Sequence, residues 1–258
     1  MMNNLLVYCL CLDNNLLTKV KKLNYVPVGL GRDNFSEEWL RDNTKINISE
    51  KNPFYGEHSF HYWLWKNKLD NITDGTWIGF CTYRRFWNQK KDKKNNDTFN
   101  IFKDSLKEVP SEWKNFDTIL ADKIDLTNLK WMKVLKYGKL ALLRNPKAIF
   151  KDGRNIRFNF DMFHGNGILD KAIELLNDED KEDFRKFVNT NTSINQCNLF
   201  ICRSKDKIKK YYETIFEWFE KLEQIFGFNL EGYSKIRIYG FLSERFLPYW
   251  FMKNSNCI

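Results

Sequence analysis

The chain has 258 residues, of which 43% are hydrophobic and 16% aromatic, so it can bury a sizeable core and is too rich in bulky side chains for a disordered protein. Its 42 lysines and arginines exceed its 33 aspartates and glutamates, and the formal charge of +9 favours anionic partners. The six cysteines form no CxxC pair and there are only three histidines, which disfavours structural zinc.

Several features predict one globular domain over residues 1–258 in the cytoplasm, with the inner face of the membrane as a further location. Cys9, Cys11, Cys81 and Cys202 lie in apolar runs, where a free thiol behaves as a small buried hydrophobe, as is typical of a reducing compartment. The apolar residues 5–12 are too few for a signal-peptide core and cleavage site. No apolar run is long enough to span a bilayer.

The excess charge does not by itself indicate a nucleic-acid partner. Much of it lies in the lysine-rich residues 90–94 and 205–210, and the chain has no zinc finger and no aromatic RNA-binding signature. We therefore expect no nucleic-acid partner. A nucleic-acid-binding function driven by charge is kept as an alternative, and it predicts that the affinity for nucleic acid falls steeply as the salt concentration rises.

The first part of the chain predicts strand, helix, strand. Residues 5–12, LLVYCLCL, predict a buried strand, and residues 16–23 and 25–29 a short helix and a second strand. Because no GxGxxG separates the first strand from its helix, a dinucleotide-binding enzyme is disfavoured.

A helix is predicted from Glu57 onward, since Pro53 disfavours helix at the residue before it and apolar residues then recur at helical spacing. Glu57 would lie in the first turn, where the helix dipole favours a carboxylate, and this structural role is the alternative to a catalytic one. His58 and His61 are interpreted as packing or surface residues, because no carboxylate cluster accompanies them.

Residues 77–87, WIGFCTYRRFW, are the stretch most suggestive of a ligand site. Residues 77–81 predict a strand buried on both faces, and ligands of open α/β sheets bind beyond the carboxyl ends of strands. Tyr83, Arg84 and Arg85 follow there. Since guanidinium pairs bidentately with phosphate oxygens, they predict a diphosphate clamp. The alternative is a solvated strand end paired with surface carboxylates.

The middle of the chain offers weaker signals. Residues 88–100 have the composition of a loop, and we expect this loop to be mobile until substrate arrives. Residues 116–121 predict a strand. Residues 130–143 mix apolar and basic residues and predict no clear element. Asp122 and Asp125 are interpreted as turn acids rather than metal ligands. Asp161 and His164 precede two glycines and an amphipathic helix. Residues 178–180 formally satisfy Asp-x-Asp, but their place predicts a helix start.

Toward the end, residues 195–202 predict a strand, and Ser204 is predicted to cap a long amphipathic helix that stops at Gly227. Glu244 and Arg245 are expected at the start of an aromatic-rich helix interrupted at Pro248. The aromatic tail is expected to pack against the body, with lipid contact as the alternative.

Four stretches, in this order, resemble the bacterial capsular and exopolysaccharide glycosyltransferases long filed as a domain of unknown function. They are DNTKINISEKNPFYGEHSFHYWLWKN, WIGFCTYRRFW, NLFI followed by a helix with Trp218, and GFLSERFL. The resemblance implies an α/β fold, a GT-A-like Rossmann-type sandwich with a mixed, mainly parallel sheet flanked by helices. It also implies a nucleotide-sugar transferase, and transfer of galactofuranose from its uridine diphosphate donor is ascribed to some members.

The resemblance directs attention to Trp65, Lys66 and Asn67 and to two sets of site residues. The donor-binding candidates, with Tyr8 added from the first strand, are Tyr8, Asn52, Tyr83, Arg84, Arg85, His164, Asn198 and Arg245; the catalytic candidates are Glu57, Asp161 and Glu244. Thr82 stands where the family is expected to have histidine, and Gly56 where cysteine is common. These departures keep open a catalytically inactive nucleotide-sugar or glycan-binding protein.

Glycosyl transfer needs a base for the acceptor hydroxyl and a positive element for the departing diphosphate. Arg84 and Arg85 are predicted to replace the metal ion that many such enzymes bind, so no metal is expected to be required, with Mn²⁺ or Mg²⁺ as the alternative. Glu57 is slightly favoured as the base of an inverting transfer. The expected partners are a nucleotide-sugar donor, a saccharide or lipid-linked acceptor and, peripherally, a membrane.

Overall fold

A computed structural model describes residues 4–89 and 100–258, so most of the predicted loop at 88–100 lies outside the described residues. The strands are β1 (Leu5–Cys11), β2 (Val26–Gly29), β3 (Leu40–Arg41), β4 (Trp77–Thr82), β5 (Thr118–Leu120), β6 (Lys123–Asp125), β7 (Ser193–Asn195) and β8 (Phe200–Cys202). The α-helices are α1 (Leu17–Lys22), α2 (Asn52–Tyr55), α3 (His58–Asn67), α4 (Ile101–Asp104), α5 (Trp131–Tyr137), α6 (Lys139–Arg144), α7 (Ile156–His164), α8 (Ile168–Glu174), α9 (Asp178–Thr190), α10 (Lys205–Phe226), α11 (Tyr233–Ile236) and α12 (Ile238–Asn254).

The main sheet has six strands in the order β3-β2-β1-β4-β8-β5. β1 pairs in parallel with β2 and β4, and β2 in parallel with β3, whereas β8 runs antiparallel to both β4 and β5. β6 and β7 form a separate antiparallel pair. The predicted mixed, mainly parallel sheet flanked by helices is therefore confirmed.

The central strand β1 is covered on both faces, as its continuous apolar sequence predicts. Tyr8 and Leu10 belong to the large core that includes residues of α3, α10 and α12. Val7 and Cys9, which point the other way, pack with Val20 and other residues around α1. This alternation is the period of two of a strand, so the sheet separates two hydrophobic layers.

The start of α9 and both ends of α10 lie where the sequence predicts them. The Ser204 side chain accepts a hydrogen bond from the Lys207 amide at 3.3 Å, and α10 ends at Gly227, whose φ is +57°. The Asn177 side chain accepts from the Asp180 amide at 2.8 Å, so residues 178–180 form the first turn of α9. Their interpretation as a helix start is confirmed.

The predicted strand over residues 195–202 is too long. Only Phe200–Cys202 is a strand of the main sheet, and Asn195 ends β7. Between them Cys197 and Asn198 adopt φ of +80° and +48°, the left-handed region that asparagine tolerates better than most residues. The polar entry to the apolar run therefore forms a turn, which removes Asn198 from the sheet.

The predicted interruption at Pro248 is also wrong, since α12 runs without a break from Ile238 to Asn254. Glu244 and Arg245 consequently lie in the middle of the helix rather than at its start. Proline removes one backbone hydrogen bond, but burial of Tyr249, Trp250 and Phe251 holds the helix together around it. The same burial confirms that the aromatic tail packs against the body.

The remaining predictions about buried and turn residues hold. All six cysteines are free, and the four predicted to be buried are buried. His58 and His61 lie in the core, where the Nδ1 atom of His61 is 2.7 Å from the Tyr212 hydroxyl. Asp125 accepts a hydrogen bond from the Thr127 amide at 2.8 Å and is a turn acid. Within the described ranges, no helix combines the length and apolar character needed to cross a bilayer.

Candidate active site

A tight turn at the carboxyl end of β4 presents the tandem arginines. The backbone groups of Thr82 and Arg85 exchange two hydrogen bonds of 3.2 and 3.1 Å, and the Tyr83 amide donates to the Leu10 carbonyl of β1 at 3.2 Å. Both arginines are exposed, and the Arg84 guanidinium lies 5.0 Å from the centre of the Tyr83 ring. Two neighbouring parallel strands thus fix the turn and place both arginine side chains at the surface.

Glu57 immediately precedes α3 and is held by Asn198. The Asn198 side-chain amide donates to Glu57 Oε1 at 2.9 Å and to the Gly240 carbonyl at 3.1 Å, and its oxygen accepts from the Ser243 hydroxyl at 2.9 Å. The left-handed conformation of Asn198 aims its side chain between the start of α3 and α12. This asparagine therefore fixes the orientation of a carboxylate that is 19% exposed.

A buried arginine organises the other half of the cluster. Arg245, whose side chain is 7% exposed, donates to Glu244 Oε2 at 2.8 Å and to Asn159 Oδ1 at 3.2 Å, and lies 3.5 Å from His164 Nε2. The Glu244 side chain is 22% exposed. A charged hydrogen bond to a buried arginine is strong, so Glu244 is anchored although its side chain keeps some exposure to solvent.

Charges from three directions act on Glu244. Burial raises the pKa of its carboxyl, the guanidinium of Arg245 opposes this rise, and the nearby negative charge of Glu57 adds to it. The positive charge of Arg85 also lowers the pKa of Glu244, by less than Arg245 does. Asn198 bonds both Glu57 and the Gly240 carbonyl, so Glu57 lies beside α12, the helix that carries Glu244.

His164 is a neutral member of the same group. Burial and the positive charge of Arg245 lower the pKa of His164 to about 3, so the imidazole is uncharged at neutral pH. Its ring stacks on Phe241 with centroids 4.0 Å apart. An uncharged ring can face Arg245 without repulsion and so leaves the arginine's charge available to Glu244.

Two further residues were not found from the sequence. Arg237, at the start of α12, places Nη2 3.9 Å from Glu57 Oε2, and Ser243 bonds Asn198 as described. An ideal Cβ at Gly56 would lie 2.5 Å from Arg237 Nη2, so this glycine, with φ of +62°, leaves room for the guanidinium. The sequence signal for Arg237 was the glycine at position 56, where the family commonly has cysteine. A missing side chain beside Glu57 implies that another group fills its space.

Three of the predicted site residues lie apart from the cluster around Glu57 and Glu244. Asn52 donates to the Gly56 carbonyl and to the Ser59 hydroxyl, both at 2.9 Å, and so holds the turn that leads to Glu57. Tyr8 is fully buried beside Phe60, and its hydroxyl has no hydrogen-bond partner within the described part of the chain.

Asp161 is the third of these residues. It is buried and accepts from the Gly167 amide at 3.1 Å, with Arg144 Nε at 3.9 Å. Burial raises its pKa, and the Gly167 amide opposes that rise. These contacts tie Asp161 to the connection between α7 and α8. No described hydrogen bond or ion pair joins it to Glu57 or Glu244.

Two cavities of the described protein lie apart from the charged cluster. Two cavities of about 250 and 310 Å³ are lined largely by residues of α9, α10 and α12 and by none of the residues of the charged cluster. In residues 4–89 and 100–258, no three His, Cys, Asp or Glu side chains are arranged to hold a metal ion. The independence of metal stays a prediction for experiment.

The fold is similar to that of a solved structure described as the WbbM bifunctional glycosyltransferase in its apo form. The two share 20% sequence identity with a TM-score of 0.64, over 97% of this chain. The chain spans 42% of the length of that protein. No curated protein matches the sequence. The model of the family described as Domain of unknown function (DUF4422) matches residues 13–255, which is most of the chain. The chain belongs to this family.

Proposed function

We propose that the protein is a glycosyltransferase that moves a sugar from a nucleotide-diphosphate donor to a saccharide or lipid-linked saccharide acceptor. The observation that carries this proposal is that Asn198 joins Glu57 to the stretch of α12 that carries Glu244, while exposed Arg84 and Arg85 follow the carboxyl end of β4. A base and a cationic group are the two elements that such a transfer needs. The similarity in fold to a glycosyltransferase structure supports it.

In the proposed reaction the acceptor oxygen attacks the anomeric carbon as the bond from that carbon to the diphosphate breaks. The hydroxyl proton passes to a carboxylate, and the diphosphate leaves with the bonding electron pair. Arg84 and Arg85 hold its negative charge, and Tyr83 donates a hydrogen bond. A single base suffices if the transfer inverts the anomeric centre. The donor is a UDP-hexose, for which UDP-galactofuranose is the first choice.

Glu57 is the proposed base, on the grounds of what each carboxylate already holds. Protonation of Glu244 would weaken its ion pair with buried Arg245 and leave that charge uncompensated, which is costly. Glu57 instead accepts a neutral amide hydrogen bond from Asn198 and lies 3.9 Å from Arg237.

Donor binding is the direct test of the proposal. A UDP-hexose is expected to raise the melting temperature of the full chain, since a ligand at 100 times its Kd stabilises the native state by about 2.7 kcal/mol. The screen would compare UDP-sugars with other nucleotide sugars, each with manganese and with chelator. The same shift in chelator supports a cationic clamp, whereas no shift with any nucleotide sugar contradicts the proposal.

A second function is a catalytically inactive nucleotide-sugar or glycan-binding protein, which Thr82 favours because it stands where the family is expected to have histidine. This alternative predicts a shift in melting temperature without product formation or donor hydrolysis. Turnover of a donor that binds would exclude it.

We place the reaction in the cytoplasm, at the inner face of the membrane, in the synthesis of capsular or exopolysaccharide.

Asn198 is expected to act as a positioning residue for Glu57. Asn198→Gly tolerates the left-handed backbone and removes only the amide, so we expect kcat to fall by roughly 10- to 100-fold with little change in the donor KM. Kinetics and a melting curve for each variant measure this, with exposed Asn254→Gly as a control that lies outside the cluster. A wild-type kcat in Asn198→Gly would show that the amide bond to Glu57 is unimportant.

A further inference from the structure

Residues 130–151 carry exposed apolar side chains that the fold leaves uncovered. Met132, Leu140, Leu143 and Phe150 are 82%, 66%, 79% and 73% exposed. Trp131, Leu135, Tyr137 and Ile149 are exposed as well. Large exposed apolar side chains concentrated in one stretch of a fold are typical of a site that meets another molecule or a membrane. We call this surface the 130–151 face.

The segment itself is well anchored, so its outward apolar side chains are not a sign of poor packing. Val134, Ala141 and Ala148 are buried against Phe158 and Met162 of α7. α5 and α6 therefore have an inner side that packs on the protein and an outer side that does not.

The same face is positively charged throughout. Its basic residues are Lys130, Lys133, Lys136, Lys139, Arg144, Lys147 and Lys151, and the range contains no aspartate or glutamate. All are exposed. Within the described residues, none of these lysines has a carboxylate oxygen within 4.0 Å. Arg144 is paired with Asp170, and the six lysines give the face a net positive charge that favours a negatively charged partner.

We infer that the 130–151 face binds the surface of a bilayer that contains anionic lipids. Its leucines, methionine and phenylalanine would enter the boundary between headgroups and acyl chains, while the lysines meet the lipid phosphates. A nucleic acid would use the lysines but would offer little to the exposed aliphatic side chains. The combination of apolar and basic groups thus favours a membrane over a nucleic acid.

The position of the face relative to the charged cluster gives lipid binding a consequence. Phe158 and Met162, which support the face, lie on α7, and the same helix carries Asn159 and His164 against Arg245. Docking on a membrane would hold α7, and with it the cluster, near the headgroups, where a lipid-linked acceptor resides. This consequence rests on the proposed function, whereas binding to lipid does not.

Cosedimentation of the full chain with vesicles tests the inference. The chain is expected to bind phosphatidylcholine vesicles that contain about one third phosphatidylglycerol, and to bind pure phosphatidylcholine far more weakly. Lys133→Gln/Lys136→Gln/Lys139→Gln should weaken partitioning on the order of a hundredfold, since each basic residue contributes roughly fivefold. Met132→Ser/Leu140→Ser/Leu143→Ser should weaken it at high salt as well, because the apolar contribution is not screened.

A matched control removes the same charge elsewhere. Lys186→Gln/Lys209→Gln/Lys210→Gln changes exposed lysines of α9 and α10 and should leave partitioning unchanged. Equal weakening by this control, or tight binding by both variants of the face, would overturn the inference.

Two other results would assign the face to a different partner and also overturn the inference. One is binding to duplex DNA but not to anionic vesicles. The other is a dimer in solution that the serine variant dissociates. Because every variant should keep its melting-temperature shift with a donor, a failure of lipid binding is distinguishable from a failure of the proposed activity.

Discussion

Replacing Arg85 by alanine is expected to lower kcat/KM for the donor by about 10²- to 10³-fold, the usual effect of removing a preorganised charge from the transition state. Arg85 is exposed and is fixed by the backbone turn with Thr82, so the folded state loses little when its side chain is removed. Initial rates and a melting curve on the same preparation separate loss of chemistry from loss of fold.

Companion substitutions sharpen this experiment. Arg84→Ala should act in the same direction, and Arg84→Lys or Arg85→Lys should retain part of the activity, because lysine keeps the charge but cannot form the bidentate fork. Arg185→Ala is the control, since the described ion pairs of Arg185 are with Glu174 of α8 and Glu182 of α9, neither of which belongs to the cluster. Full activity of both alanine variants would reject the diphosphate clamp, and the ion pairs of a solvated strand end would explain the tandem arginines.

Local patterns in the sequence predicted the elements that lie deep in the fold. Residues 5–12 and 77–81 are continuous apolar runs, and both are strands at the centre of the main sheet. α10 combines helical spacing with a serine cap and a glycine stop, and all three signals act within one segment. Each prediction was correct because the residues that decide the structure are neighbours in the chain.

The two elements that were mispredicted depend on contacts from outside the segment. Pro248 stays inside α12 because the surrounding aromatic side chains are buried, which no local propensity reveals. Asn198 leaves the strand because its amide bonds Glu57 and Gly240, which are 141 and 42 residues away in the chain. In both places tertiary packing outweighs the local preference.

The candidate site could be predicted only in part for the same reason. The position of Arg84 and Arg85 beyond a strand follows from the sequence and the general topology of α/β sheets. That Arg245 is the buried partner of Glu244, and that Arg237 reaches Glu57 across Gly56, depends on how α12 lies against α2 and α3. The sequence contains these residues but not the distances between them.

The identity of the base gives the second large effect. Glu57→Gln is expected to lower kcat by about 10²- to 10⁴-fold, because glutamine keeps the size of the side chain but cannot accept the proton. Its donor KM and melting temperature should change little, since Asn198 can still bond the amide oxygen. Glu217→Gln, an exposed glutamate of α10 paired with Lys221, is the control and should behave as wild type.

Glu244→Gln distinguishes the two carboxylates through stability and pH. It leaves buried Arg245 without a negative partner, so its melting temperature should fall below that of Glu57→Gln, while a smaller part of kcat is lost. Burial raises the pKa of Glu244, so if Glu244 were the base, kcat would decline on acidification at a higher pH than for an ordinary glutamate. That decline would then vanish in Glu244→Gln and persist in Glu57→Gln. We expect instead that the acid decline persists in Glu244→Gln and is lost in Glu57→Gln, because Glu57 is the proposed base.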